Sequence, residues 1–234
     1  MTATTIVEIM SNGLADDFLL LALDDRGTNL VGDPGLDYGL AGAVLLDLML
    51  AGRLGLTDGR VVVTDPAPVD DPVADAALTR VVKEATPRKP DAWIQPLTDG
   101  LRARVLERQV EAGVLRVERD KVLWVFPRTR YASATGDEPV TETAVRRELA
   151  EAVDGTGAVP ARTAALLGLV QAVGLAGQVF PDHDKRHLRA RLDEIAEGNW
   201  AAEAVRQAIA QIQAVIASMA AMTAATMVIT TATG

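Results

Sequence analysis

The chain has 234 residues and a formal charge of −9, is 49% hydrophobic but only 3% aromatic, and contains no cysteine. That length allows one large or two small domains around a substantial core, while disulfides and thiolate metal sites are excluded. The acidic balance opposes general nucleic-acid binding, and a core poor in aromatics has to be built from Ala, Leu and Val, which favours closely packed helices. No N-terminal stretch joins a basic start to an apolar run, so no secretory signal is read and a cytoplasmic protein is expected. Arginine outnumbers lysine 19 to 4, in keeping with a GC-rich bacterial genome.

In chain order, LADDFLLLAL (Leu14 to Leu23) reads as a short helix capped by Ser11 or Asn12. VGDPG (Val31 to Gly35) reads as a turn. Leu36 to Ala51 is apolar nearly all round, the pattern of a buried helix, and stops at Gly52. Strands Leu54 to Leu56 and Arg60 to Thr64 are joined by Asp58-Gly59, a favoured hairpin dipeptide. Asp70 or Asp71 caps a helix with Pro72 in its first turn, running to about Glu84. Asp91 to Pro96 is a helical turn. Gly100 precedes a helix through Ala112, with Leu101, Val105, Leu106 and Val110 on one face. A second hairpin pairs Val114–Val117 with Val122–Phe126 and is expected to turn at Arg119-Asp120. Pro139 and Pro160 open helices to about Val153 and Leu175, separated by the linker DGTGAVP. Asp182–Ala196 and Trp200–Ile229 are the last two helices. The final one is uncharged from Gln207 onward and too Ala-rich for a confident membrane span.

One unit recurs. LMLAGRLGLTDGRVVV and QVEAGVLRVERDKVLWV both read as helix, glycine stop, strand, tight turn, strand. Two winged-helix-like units in a mostly helical domain are therefore expected.

Catalytic patterns are missing. There is no GxxxxGK[ST], no GxGxxG after a strand and no GxSxG elbow, so no enzyme activity, catalytic residue or cofactor is assigned. His183 and His187 have the i, i+4 spacing of metal ligands. Their sequence is HDKRH, however, and Lys185-Arg186 between them would repel a cation, so a solvated helix start is preferred and no metal is expected. The acidic pairs Asp16-Asp17, Asp24-Asp25 and Asp70-Asp71 lie near predicted helix ends and are read as capping or solvated. No histidine or lysine is placed to make any of them a general base.

Charge is the informative feature. Residues 102–130 carry eight Lys or Arg against four acids, whereas the first 75 residues carry three against thirteen. The cations Arg102, Arg104, Arg108, Arg116, Arg119, Lys121, Arg128 and Arg130 surround the apolar strand Val122, Leu123, Trp124, Val125, Phe126. Cations with apolar side chains suit an anionic membrane surface. The same strand could instead pack on the core or on a sister subunit, with the arginines solvated. Alternation would put Val122, Trp124 and Phe126 on one face. A third possibility is a winged-helix DNA reader using Arg102, Arg104 and Arg108; Glu107, Glu111 and the overall acidity weigh against it, and no nucleic-acid partner is expected.

LADDFLLLALDDRG, GLAGAVLLDLMLAGRL and LERQVEAGVL, in that order and followed by an apolar hairpin, resemble the Golgi phosphoprotein 3 family and its bacterial relatives. The resemblance covers the chain to about Gln213. It implies a mainly α single domain with short β-hairpins, one of them protruding, over residues 1–213, and an Ala-rich helix end and tail over 214–234. It also implies a non-enzymatic, peripheral role on the cytoplasmic membrane face. Eukaryotic members bind phosphatidylinositol 4-phosphate and act as adaptors for glycosyltransferases, and their hairpin takes part in oligomer contacts near the membrane face. Carried onto this sequence, the headgroup pocket of those members falls on Gly32, Ala41, Asp99 and Arg102. Only Arg102 keeps a cation, so phosphoinositide selectivity is expected to be largely lost. Anionic lipid, and a second copy of the chain through the hairpin, are the expected partners.

Overall fold

Two apolar helices make the centre of the molecule, α1 (Leu14–Ala22) and α2 (Asp33–Leu50). The computed structural model describes residues 13–122, 126–198 and 203–232. Every residue of α1 is buried, and α2 buries residues on all sides, including Leu36, Leu40, Ala41, Val44, Leu45 and Leu48. A helix apolar all round has no solvent face to offer, so the rest of the chain packs around this pair. The surrounding helices are α3 (Pro72–Val82), α4 (Asp91–Leu97), α5 (Leu101–Glu111), α6 (Val140–Asp154), α7 (Ala161–Ala172), α8 (Ala176–Val179), α9 (Lys185–Glu197) and α10 (Glu203–Ala232). Small residues replace aromatic bulk where helices cross closely. A Cβ on Gly42 would lie 2.1 Å from Ile216 Cδ1, so α2 and α10 meet where only hydrogen fits. The result is the mainly α architecture that composition implies, with two small antiparallel hairpins.

Local expectations hold at the start of α3 and along the apolar stripe of α5. Asp71 caps α3, accepting from the Val73 and Ala74 N–H groups, and Pro72 opens it. Leu101, Val105 and Leu106 form the buried face of α5. Three expectations need correction. The cap of α1 is Gly13, whose N–H donates to Asp16 Oδ2, rather than Ser11 or Asn12. The segment read as a turn at Val31–Gly35 already enters α2, because Asp33-Pro34 suits a first helical turn better than a loop. The helix expected through Leu175 ends at Ala172, and the short α8 follows.

The repeated unit is real in topology. Strands β1 (Leu54–Thr57) and β2 (Arg60–Val63) follow α2, and β3 (Leu115–Val122) and β4 (Phe126–Ser133) follow α5. Gly52 and Gly113 stop the two helices at the same place in the unit, each with positive φ. The copies differ in reach. The second ladder runs in register from Leu115↔Ser133 to Val122↔Phe126, so the chain reverses beyond Val122 and not at Arg119-Asp120. Arg119-Asp120 lacks the glycine or asparagine of a tight hairpin turn. The backbone register continues through it, pairing Arg119 with Thr129 and Asp120 with Arg128 in the ladder. Leu123, Trp124 and Val125, with the face assignment made for them, lie outside the described residues.

Candidate functional site

The arginines of α5 are held at both ends of the helix. Arg102 donates from Nε to Asp37 Oδ1 at 2.7 Å, and to Asp33 Oδ1 and the Asp33 carbonyl at 2.8 Å. Both carboxylates stand in the first two turns of α2. The bond and charge of Arg102 hold Asp33 below the usual carboxylate range. Six residues on, Arg108 donates to Asp16 Oδ1 at 2.9 Å and to Asp71 Oδ1 at 2.8 Å. Arg104 is exposed and donates to the Asp99 carbonyl. Two of the three arginines that a DNA-reading helix would present to phosphate are therefore engaged by carboxylates.

The Arg108 contacts belong to a buried ionic network. Asp16 and Asp17, expected at capping or solvated positions, are each only 3% exposed. Asp16 is met by Arg108 and by Gln109 Nε2 at 2.7 Å, and Asp17 by Arg162 at 2.7 Å. Asp47, from α2, accepts the Leu14 N–H at 2.8 Å and so satisfies one orphan donor at the start of α1. Burial dominates the titration of these groups. It pushes Asp17 up to about 6 against the opposing charge of Arg162, and Asp47 up to about 7 against Arg162 and the Leu14 N–H. Asp16 is also raised by burial, with Arg108 and Gln109 opposing. The sequence signal for this network was a pair of acids inside an otherwise apolar run. Nothing local indicated that the partners would come from α5 and α7.

These contacts give the α5 arginines a positioning role. They tie α5 to α1, α2 and the cap of α3, and α5 leads directly into β3. The base of the second hairpin is fixed as well: Leu115, Ala132 and Ser133 are buried, and the Ser133 N–H donates to the Asp25 carbonyl. Just beyond that base β3 turns toward solvent. Arg116 and Arg119 are exposed, and Val117 is 41% exposed. Arg116 pairs with Glu118 on its own strand at 2.7 Å. Among the described residues no carboxylate pairs with Arg119. Over Leu115–Ser133 the sequence holds five cations (Arg116, Arg119, Lys121, Arg128, Arg130) against two acids (Glu118, Asp120), a balance of +3 on a chain of −9.

The histidines do not form a metal pair. His183 precedes α9, bonds Asp154 and meets the Phe180 ring edge-on, whereas His187 lies within the helix beside Asp184. No group of three metal-ligating side chains occurs among the described residues, and none of their helices is long and apolar enough to cross a membrane.

A helical body whose α5 delivers a strand pair, in a sequence with this segment order, has a counterpart in one family model. The model described as Golgi phosphoprotein 3 (GPP34) matches residues 14–212. The chain belongs to the Golgi phosphoprotein 3 family. No curated protein matches the sequence significantly. Within this Golgi phosphoprotein 3 domain, the four positions carried over from the lipid pocket are not equivalent in setting. Gly32 is the exposed N-cap of α2, and Asp99 is exposed just before α5. Ala41 is completely buried in the core. The α2 residues that face Arg102 are the acids Asp33 and Asp37, which already occupy the donors a phosphate would need.

Proposed function

We propose that this Golgi phosphoprotein 3-family chain is a non-catalytic module that docks peripherally on anionic membrane through the β3–β4 hairpin, by general charge attraction rather than headgroup recognition. The observation that carries this reading is the hairpin's local balance of +3 on a chain of −9, with Arg116, Val117 and Arg119 exposed beyond the buried base. Arg102 and Arg108 contribute little, because their charge is offset inside the fold. Arg119, Lys121 and Arg128 make the attracting set in this reading, and the apolar residues 122–126 supply insertion. Phosphoinositide selectivity is not part of the reading, since Gly32, Ala41 and Asp99 offer no cation.

Flotation with vesicles of phosphatidylglycerol and phosphatidylcholine tests it. The protein should rise with these vesicles at low salt, rise much less at high salt, and ignore pure phosphatidylcholine. Arg119→Glu/Lys121→Glu/Arg128→Glu should weaken recovery by roughly thirtyfold or more, since each cation near such a surface is worth about 1 kcal/mol. Recovery insensitive to salt and to these reversals would end the membrane reading.

A second reading is favoured by the open edges of the same two-stranded sheet, next to exposed Val117. An open edge is a template for another strand, so the hairpin could join copies of the chain. Trp124→Asp separates the two. Under the oligomer reading, light scattering of this variant gives a smaller particle than the parent chain; under the membrane reading the mass is unchanged and flotation falls.

A further inference from the structure

A 740 Å³ groove lies between α7–α8 and α9, far larger than any single side chain requires. That volume falls within the range typical of small-molecule sites. Its floor is apolar, made by the buried Leu188 and Leu192. Lys185 and Arg189, one helical turn apart on α9, stand at its edge with the Gln178 carboxamide. On the α8 side Gly177 leaves the wall open, since a Cβ there would meet nothing within 4 Å.

The two cations are placed against local electrostatics. They lie in the first turns of α9, the positive end of its dipole, while Asp193, Glu194 and Glu197 occupy the other end. The chain has 32 acids and tends to pair its arginines: Arg53, Arg88, Arg102, Arg108, Arg146 and Arg162 each meet a carboxylate. Among the described residues no carboxylate pairs with Lys185 or Arg189, and no acid lines the groove. Unpaired cations at the rim of an apolar-floored cavity match a ligand with an anionic head and an apolar body.

We propose that this groove binds a soluble small molecule carrying a phosphate monoester or carboxylate on a short apolar body, with Lys185 and Arg189 on the anion and Leu188 and Leu192 under the body. The inference stands apart from the membrane reading, because its residues lie on α7, α8 and α9 and its ligand needs no bilayer. Hexyl phosphate is the probe, titrated calorimetrically into the full chain, with inorganic phosphate and hexanol as head-only and body-only controls. One saturable site is expected, at least roughly tenfold tighter for hexyl phosphate than for either control. Lys185→Ala/Arg189→Ala removes the head contacts, and Gly177→Phe fills the groove without changing charge. Each should weaken hexyl phosphate binding about tenfold or more while the circular-dichroism melt of the protein is retained. A bilayer headgroup source is separated by flotation on phosphatidic acid vesicles, which these variants should leave unchanged. No saturable binding at millimolar hexyl phosphate, binding that survives either variant, or loss confined to the vesicles would overturn the proposal.

Discussion

Replacing Arg162 with methionine should cost about 3 kcal/mol of folding stability at pH 8, because it leaves the buried Asp17 carboxylate without its cation. Asp17 is 4% exposed at its side chain and has Arg162 at 2.7 Å. The cost should depend on pH in a definite direction. Burial raises the folded-state pKa of Asp17 from 3.8 to about 6. A raised carboxyl binds its proton more tightly in the folded state, so the associated stability is fully present below 3.8 and is lost as pH rises through about 6. Arg162 opposes that rise, and without it the folded-state pKa moves higher still. The Arg162→Met penalty should therefore be large at pH 8 and shrink steadily on acidification toward pH 4. Urea unfolding followed by circular dichroism at several pH values measures it. Asp17→Asn/Arg162→Met should recover much of the loss at pH 8, since a neutral amide removes the unpaired charge. An equal penalty at every pH would mean that Arg162 acts through packing and that the ionic account of α1 is wrong. Asp47 and Glu142, both raised to about 7 chiefly by burial, carry the same sign, so their contributions to stability also fall between mildly acidic and neutral pH.

Removing the two acids that hold Arg102 should have the opposite kind of effect, a gain. In Asp33→Ala/Asp37→Ala the guanidinium loses all its side-chain partners and keeps the Asp33-position carbonyl as its remaining protein contact. Recovery on vesicles bearing phosphate monoester headgroups should rise roughly tenfold, as a freed cation and two deleted anions all favour an anionic surface. Adding Arg102→Ala in the same background should cancel most of that gain. If the gain persists without Arg102, net charge explains it and the position has no anion-binding capacity of its own. If no gain occurs, Arg102 is held for structure alone, as Arg108 is.

The α5 arginines show how a cationic stretch in sequence can become a set of internal ties. Cations in an acidic chain invite a docking interpretation, yet Arg102 and Arg108 spend their donors on the elements that seat α5. The consequence for function is geometric. They fix the direction in which β3 leaves the body, and the residual positive charge moves outward along the hairpin. The docking idea therefore narrows from the whole of residues 102–130 to the exposed part of the strand pair.

Sequence by itself determined the order of helices, the glycine stops at Gly52 and Gly113, the proline openings, the two helix–hairpin units and the family. These depend on periodicity and on the conformational limits of proline and glycine, which act within a few residues. It also marked Leu101, Val105 and Leu106 as a core face. The tertiary structure alone decided what the charges do. Arg108 meets Asp16 across 92 positions and Arg102 meets Asp37 across 65, separations at which no local pattern names a partner. It likewise decided that Asp16 and Asp17 are interior and that Ala41 faces the core. It carried β3 past Arg119-Asp120 too, because pairing with β4 continues in register to Val122↔Phe126. The physical reason is common to all four. Burial and ion pairing are properties of neighbours in space, and the chain's topology chooses those neighbours only after its local elements have formed.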